Sequence, residues 1–190
     1  MRGRDVFRKF HSIINVLSKI MMIFPETIRL RLFTAVRSWK GKSGIAMRYI
    51  LLSTFTKHIG DNVVIYEDVY LFNPDKIKFG NNISIHPNSY IQASGGLVID
   101  SDVSIAHDVT IMTETHNYHL LDTNIKDQSM NRRSVCIHQN VWVGAKSTIL
   151  LGVTIDSGAI IGANSLVNKN VGENEVVGGV PCRLIKKRGV

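Results

Sequence analysis

The sequence is poor in the residues that build several common classes of protein. Its 190 residues include only 2 cysteines, 4 prolines and 7% aromatic side chains. Cys136 and Cys182 are too few for a disulfide framework and lack the spacing of a zinc site, so we expect both to act as small buried apolar residues. The longest uncharged apolar run, Ile20–Phe24, is far shorter than a membrane span, and no small-residue cleavage site follows it. These shortages disfavour a disulfide-rich scaffold, a membrane-spanning protein and a signal peptide.

Acidic residues are scarce in the first 58 positions. This segment holds 12 Lys and Arg against Asp5 and Glu26, a balance of +10, whereas residues 59–190 hold 11 against 13, a balance of −2. The two balances account for the net charge of +8. The chain length suits one main domain with an appendage. We therefore divide it into a basic N-terminal segment with a connector, 1–58, and a main domain, 59–190, that ends in a short tail.

Branched apolar residues recur every six positions in the main domain. A period of six matches neither a helix of 3.6 residues per turn nor a simple alternating strand. It fits hexapeptides that each form one short strand and one corner, so that three make a triangular coil with the phased residue inside. Triplets that start at 59, 79, 99, 137 and 155 predict five coils. The phased residues are Ile59, Ile65, Leu71, Phe79, Ile85, Ile91, Ile99, Ile105, Ile111, Ile137, Val143, Ile149, Ile155, Ile161 and Val167.

The N-terminal segment is predicted to be helical. Apolar residues at spacings of three and four form one stripe that Pro25 ends, and Glu26–Lys40 offers a second, Arg-rich helix. In the connector, Met47–Ser53 is predicted as a strand that leads into the first coil. The helices either pack against the main domain or a neighbouring subunit, or lie on an anionic membrane surface. Nucleic acid is disfavoured as a partner because no recognition motif accompanies the charge.

The repeat breaks once, between Ile111 and Ile137. Residues 116–135 leave the coil as a polar loop that begins at Thr115-His116-Asn117. A loop of this length in a tight coil is usually functional. An imidazole has a suitable pKa to take a proton from a hydroxyl group, which makes His116 the candidate base and His119 a weaker rival.

Two motifs resemble the hexapeptide-repeat acyltransferases. They are Ile-Gly-Ala-Asn-Ser-Leu-Val at 161–167 and Gly-Gly-Val-Pro-Cys-Arg at 178–183, and the resemblance covers residues 59–188. It implies an all-β domain folded as a left-handed parallel β-helix. His116 resembles the catalytic position of the galactoside, maltose and polysaccharide O-acetyltransferases of this family. The resemblance implies direct acetyl transfer without an acyl-enzyme, with Glu114, Asp122 or a backbone carbonyl orienting the imidazole.

The same resemblance implies acetyl-CoA as co-substrate. We expect no metal, because no pair of histidines has compact ligand spacing beside a cysteine, apart from the single neighbours Cys136 and His138. Val141-Trp142-Val143-Gly144 follows the loop as it does in the family, where the aromatic residue flanks the pantetheine arm. Asn168 stands where the family usually has threonine. The residues expected to bind the donor are Trp142, Gly144, Ala145, Ala163, Asn168, Lys169, Arg183 and Lys186.

On the acceptor side we expect contacts from Asn88, Arg132 and Arg133. The resemblance implies a homotrimer with its active sites between subunits. Because acetyl donors of the coenzyme A type are cytosolic, we expect a cytoplasmic protein. The basic amphipathic N-terminus suits work beside the inner membrane and favours a sugar hydroxyl of a surface polysaccharide or its precursor as the acceptor. An antibiotic or a free sugar is the alternative acceptor. A rival of another class is a non-catalytic scaffold or a zinc-dependent hydratase, in which coil histidines would hold the metal.

Overall fold

The computed structural model describes residues 3–189, with the side chains of residues 3–9 and 11 left aside. Three helices come first: α1 (Gly3–Met21), α2 (Glu26–Ala35) and α3 (Gly41–Leu52). The strands that follow are β1 (His58–Ile59), β2 (Val63–Ile65), β3 (Tyr70–Phe72), β4 (Ile77–Phe79), β5 (Ile83–Ile85), β6 (Tyr90–Gln92), β7 (Leu97–Ile99), β8 (Ser104–Ile105), β9 (Thr110–Met112), β10 (Glu114–His116), β11 (Met130–Arg132), β12 (Val135–Ile137), β13 (Trp142–Val143), β14 (Thr148–Ile149), β15 (Thr154–Ile155), β16 (Ile160–Ile161), β17 (Leu166–Val167), β18 (Glu175–Gly178) and β19 (Arg183–Lys187).

The strands stack into three parallel faces of a solenoid. Face A has the order β1-β4-β7-β12-β15, face C has the order β3-β6-β9-β14-β17, and face B runs from β2 through β5, β8, β13 and β16 to β18. Strand β19 adds to β18 in the antiparallel direction. Each coil visits the faces in the order A, B, C, so three corners result, called here the A–B, B–C and C–A corners. The hexapeptide period therefore predicted the architecture correctly.

The interior is a column of aliphatic side chains. Thirteen of the fifteen phased residues are buried, and the two partly buried ones, Ile59 and Leu71, belong to the first coil. Faces A and C each contain five strands. Face B then continues into a sixth, incomplete turn through β18, and Val171 pairs with Ile155 on face A.

Asparagine and aspartate occupy most of the positive-φ positions at the corners. Eleven residues other than glycine have a positive φ, and ten of them are Asn or Asp, which adopt this backbone conformation more readily than other side chains. At the A–B corner their side chains also bond from coil to coil. The Asn62 amide donates to Asn82 at 3.2 Å, and the Asn82 amide donates to Asp102 at 3.0 Å. These bonds link successive coils along the corner.

The two cysteines differ in environment. Cys182 is fully buried, as expected, but Cys136 is only partly buried and the expectation for it was wrong. Cys136 lies between Val135 and Ile137 on β12, and alternation along the strand points its neighbours inward and the thiol outward. Both are free thiols.

The connector forms a helix, not a strand. Residues 47–52 belong to α3, and the predicted second helix ends at Ala35 instead of Lys40. A short apolar run does not distinguish a buried helix from a buried strand. Here the run covers the open end of the first coil, where Tyr49 to Leu52 are buried against it. Gly44 allows the close approach that this requires, because a Cβ there would lie 1.8 Å from the Trp39 carbonyl oxygen.

The three helices α1, α2 and α3 are called here the helical cap. Arg48 joins this cap to the solenoid. Its side chain is 1% exposed and donates hydrogen bonds to four carbonyl groups. Three of them, on Val36, Arg37 and Trp39, lie in the segment after α2, and the fourth, on Ile65, lies in β2. Burial lowers the pKa of Arg48, while the charges of Glu67 and Asp68 oppose that shift.

Among the described residues, no helix is long and apolar enough to cross a membrane. Helix α1 instead packs on α3, with Ile14 buried and Ser53 donating a hydrogen bond to Ser18 at 2.9 Å. Helix α3, in the connector, contacts β2 directly and lies between α1 and α2 on one side and the solenoid on the other.

Replacing Arg48 with methionine is expected to loosen the helical cap. Four carbonyl groups would lose their donor in a buried site, at a cost of about 3 kcal/mol in the free energy of unfolding. Chemical denaturation followed by circular dichroism would measure this. Replacing the exposed Lys40 with methionine is the control and should change stability by less than about 0.5 kcal/mol. Equal stability of both variants would contradict the assigned role of Arg48.

Candidate active site

The break in the repeat is a hairpin arm at the C–A corner. The arm, residues 114–132, begins two residues earlier than predicted and ends before Val135, which is already a buried residue of face A. Its strands β10 and β11 are antiparallel, with His116 opposite Met130. The His116 side chain is exposed near the point where the arm leaves the coil. It is therefore accessible to a substrate.

Polar contacts anchor the root of the arm to face C. Thr113 is fully buried, and its hydroxyl donates to the Gln92 carbonyl at 2.9 Å and accepts from the Gly95 N–H at 2.8 Å. The Gln92 amide donates to the carboxylate of Glu114, which also accepts from Arg132 Nε at 2.9 Å. Hydrogen bonds from Ser94 and then Arg132 hold the pKa of Glu114 below its ordinary value.

Gln128 and Ser129 hold the rest of the arm. The Gln128 side chain is buried, donates to the carbonyls of Leu120 and Thr123, and accepts from the Leu120 N–H. Ser129 accepts hydrogen bonds from both the backbone and the side chain of Asn117. The sequence analysis missed Gln92, Gln128 and Ser129, because no periodicity or motif distinguishes a structural amide from the other polar residues of a loop.

The two carboxylates considered as partners of His116 behave differently. Glu114 is engaged by Gln92 and Arg132, and Asp122 lies exposed towards the tip of the arm. Within residues 3–189, neither carboxylate hydrogen-bonds the imidazole of His116. A backbone carbonyl group stays a candidate for orienting it.

The residues expected to bind the acetyl donor, acetyl-CoA, fall into two groups. Trp142 is 55% exposed on face B, and Ala145 and Ala163 follow in successive coils at the B–C corner. Gly144 brings these coils together, since a Cβ there would lie 2.6 Å from the amide nitrogen of Ala163. In the described part of the chain, no group accepts a hydrogen bond from the N–H of Ala145 or Ala163, so both can donate to a ligand.

The second group of donor residues is more dispersed. Arg183 and Lys186 are exposed on β19, at the end of face B. Asn168 and Lys169 are exposed at the C–A corner, the corner that carries the arm. A single chain therefore does not bring all the predicted donor residues into one cluster.

The expected acceptor residues also lie apart. Asn88 is exposed at the B–C corner, where its φ of 62° serves the turn. Arg132 pairs with Glu114 in the arm. The guanidinium group of Arg133 lies against Gly152 in the next coil, where a Cβ would be 3.3 Å from its Cζ atom.

The remaining coil histidines do not converge. His138 Nδ1 lies 2.8 Å from Asp100 Oδ2, and His86 stacks on Tyr66 with the ring centroids 4.7 Å apart. Burial, and then the charge of His107, lower the pKa of His86. Over residues 3–189, no three His, Cys, Asp or Glu side chains are grouped to hold a metal ion.

Comparison with known proteins gives a consistent result. No family model matches the chain. The chain is 32% identical over 145 residues to the galactoside O-acetyltransferase of Escherichia coli K12, an alignment that covers 76% of this chain and 70% of that protein. It is 32% identical over 123 residues to a putative lipopolysaccharide biosynthesis O-acetyltransferase, WbbJ, of the same organism, covering 61% of this chain and 63% of that one. A structure of galactoside acetyltransferase in complex with coenzyme A superposes with a TM-score of 0.75 at 29% identity, covering 85% of this chain and 80% of that one.

The chain belongs to the hexapeptide-repeat O-acetyltransferase family. It is an acyltransferase, and the resemblance stated from the motifs is confirmed. In this acetyltransferase a cavity of about 320 Å³ lies away from the arm, between α1, α3 and the first coil. Its position beside the helical cap separates it from His116.

The arm of the acetyltransferase is expected to loosen in acid. Because the folded-state pKa of Glu114 lies below the ordinary value of 4.5, its stabilisation of the arm is complete above that pH and is lost as the pH falls through the lowered pKa. Hydrogen exchange of the β10 and β11 amides, corrected for intrinsic rates, should show this loss.

The matched variants are Glu114→Gln and Asp122→Asn. In Glu114→Gln the β10 and β11 amides should exchange faster at neutral pH, and their exchange should show no further increase from loss of the carboxylate as the pH falls. In Asp122→Asn the same amides should exchange as in the wild type. An acid step that persists in Glu114→Gln would contradict the role given to this carboxylate.

Proposed function

We propose that the protein transfers an acetyl group from acetyl-CoA to a sugar hydroxyl. The observation that carries the proposal is the exposed His116 on an anchored hairpin arm of a hexapeptide-repeat solenoid. The relatives support the reaction class, since they are named O-acetyltransferases and a similar structure contains coenzyme A. We also propose the left-handed winding that the motifs imply.

In the proposed step, His116 acts as the general base. Its imidazole takes the hydroxyl proton while the sugar oxygen bonds to the thioester carbonyl carbon. The tetrahedral oxyanion that forms requires a donor, for which a backbone N–H of a facing coil is suited. As the carbon–sulfur bond breaks, the imidazolium returns the proton to the coenzyme A thiolate. The products are the acetyl ester and free coenzyme A, and no acyl-enzyme is needed.

The topology supports an active site shared between subunits. The arm that carries His116 leaves the solenoid at the C–A corner. Trp142 lies on face B, and Ala145 and Ala163 lie at the B–C corner. One chain therefore presents the base and the pantetheine residues on different edges. In a homotrimer, the arm of one subunit would meet the donor edge of the next, which would also cover Trp142.

For the acceptor, we propose a bacterial surface polysaccharide or its precursor. A relative named for lipopolysaccharide biosynthesis supports this choice. A free sugar or an antibiotic is the second candidate, and the relatives named galactoside O-acetyltransferase support the free sugar. If the purified protein contained stoichiometric zinc and did not bind coenzyme A, neither acceptor would apply and the protein would be assigned as a zinc-dependent hydratase.

Two single variants are expected to separate chemistry from donor binding. His116→Ala should lower acetyl transfer at least about a thousandfold while acetyl-CoA affinity stays within about twofold. Trp142→Ala should weaken acetyl-CoA binding about tenfold, since the exposed indole would lose its contact with the pantetheine arm. Calorimetry with acetyl-CoA and a coenzyme A release assay measure the two effects. Turnover retained in His116→Ala would place the base elsewhere, and unchanged donor affinity in Trp142→Ala would leave this residue to a subunit interface.

We further propose a cytoplasmic location with peripheral contact to the inner membrane through residues 1–40. Helices α1 and α2 leave many apolar side chains exposed although the segment 1–58 carries a balance of +10. An apolar stripe with basic neighbours suits an anionic lipid surface. The exposed apolar residues of this surface are Phe10, Ile13, Val16, Leu17, Ile20, Met22, Ile23, Phe24, Ile28, Leu30 and Leu32.

The double variant Ile13→Glu/Ile20→Glu is expected to bind lipid at least about tenfold more weakly, because two exposed apolar contacts become charged. Cosedimentation with phosphatidylglycerol vesicles would measure this, with phosphatidylcholine vesicles for comparison. Leu121→Glu, which changes a fully exposed leucine at the tip of the arm, is the control and should bind as the wild type. Absence of wild-type binding to the anionic vesicles would refute the membrane contact.

A further inference from the structure

Three aromatic side chains form an exposed cluster on face C. Tyr70 and Phe72 come from β3 and Tyr90 from β6, and each is about two-fifths exposed. The ring centroids of Phe72 and Tyr90 are 5.1 Å apart, and those of Tyr70 and Tyr90 are 6.3 Å apart. Arg37, after α2, places its guanidinium group 4.0 Å from the centroid of Tyr70. We call this cluster, Tyr70, Phe72 and Tyr90, the aromatic track.

The track leads to the arm that carries His116. In the register of face C, Phe72 lies beside Gln92 of the next coil, and Gln92 lies beside Met112 of the coil after that. Met112 is therefore two coils, roughly 10 Å, from Phe72. The Gln92 side chain bonds to Glu114, two residues before His116. Arg37, the aromatic track and the buried Gln92, which anchors the arm, therefore follow one another along face C from the helical cap towards the candidate base.

The size of the track argues against a subunit interface as its main purpose. An aromatic side chain has about 200 Å² of surface, so three rings exposed by two-fifths present roughly 250 Å². A stable interface buries about 800 Å² on each partner. Beyond the track, Tyr90 is followed in register by Thr110 and Thr148, and Phe72 by Gln92 and Met112, so the aromatic cluster ends at Tyr90. A small aromatic platform of this kind suits a narrow ligand better than a second protein.

The chemistry of the track suits a carbohydrate chain. A pyranose ring has an apolar face of C–H bonds that packs flat on an aromatic ring, while its hydroxyl groups reach outward to polar neighbours. The tyrosine hydroxyls and the partly exposed Thr110, which follows Tyr90 in register, provide such neighbours. The spacing of about 4.8 Å between coils is also close to the advance per sugar unit of an extended glycan.

We propose that the aromatic track binds sugar units of the acceptor that flank the acetylated one, so that the enzyme acts on an oligosaccharide or polysaccharide and not on a single sugar. This inference rests on the proposed acetyl transfer and names the class of its acceptor. One unit would lie at His116, and further units would lie over Tyr90, Phe72 and Tyr70 towards Arg37.

The chain itself suggests substitutions that face C tolerates. Thr110 occupies the position of Tyr90 one coil further on, and Gln92 that of Phe72, so Tyr90→Thr and Phe72→Gln should fold. Ile23→Thr removes a side chain that is 80% exposed outside the track and is the matched control. Thermal unfolding and light scattering would establish that all variants keep the fold and the oligomeric state of the wild type.

The probes are methyl β-D-galactopyranoside and β-1,4-galactohexaose, tested by calorimetry and, with acetyl-CoA, by coenzyme A release. The wild type should bind the hexaose at least about tenfold more tightly than the monosaccharide, and Tyr90→Thr and Phe72→Gln should each remove most of that preference. Their kcat/KM for the monosaccharide should stay within about twofold of the wild type, as should every value for Ile23→Thr. Acetyl-CoA affinity should not change in any variant.

Three results would overturn the proposal: equal binding of the two sugars by the wild type, an equal loss for both sugars in the track variants, or a changed oligomeric state in those variants. The last would assign the track to contacts between copies of the chain. Failure of the proposed function looks different, because hexaose binding that depends on the track would then persist without acetyl-CoA binding or coenzyme A release.

Discussion

The parallel register between successive coils is the constraint on which the rest of the structure depends. Each phased residue stacks on its counterpart in the coil before it, as Ile65 does with Ile85 and Ile85 with Ile105. Because the strands have only two or three residues in most coils, little cohesion comes from any one strand. The buried aliphatic column and the coil-to-coil hydrogen bonds supply it together, as expected for a repeat protein whose units contact only their neighbours.

A solenoid built this way has ends that must be covered. At the first coil α3 supplies the cover, and Arg48 bonds both to the segment after α2 and to β2, so that the cap and the coil fold as one unit. At the other end β19 turns back antiparallel on β18. The helical cap in turn leaves the outer surfaces of α1 and α2 apolar and exposed, which is the basis for the proposed contact with lipid.

The proposed active site lies where the repeat is interrupted. The rigid coils hold Thr113 and Gln92, which fix the root of the arm, and the arm presents His116 at a corner. The aromatic track lies on the same face as that root, so the proposed acceptor surface and the proposed base share one support. The proposed donor edge lies on a different corner of the prism, which is why the complete site is assigned to more than one subunit.

The sequence by itself determined the solenoid, the position of the interruption and the family, because an inward residue every six positions is a local pattern that any neighbouring coil must match. It also indicated His116 and Trp142 through short motifs. It did not determine the fold of residues 47–52, the orientation of Cys136, or the parts played by Arg48, Gln92 and Gln128. Those depend on which backbone groups meet after folding: a buried run of apolar residues suits a helix or a strand equally, and a polar side chain shows its partner only when distant segments come together. The coil period of twenty already places Tyr70 and Tyr90 in adjacent coils, but the exposure of the aromatic track and the approach of Phe72 and Arg37 to it are decided only by the tertiary structure.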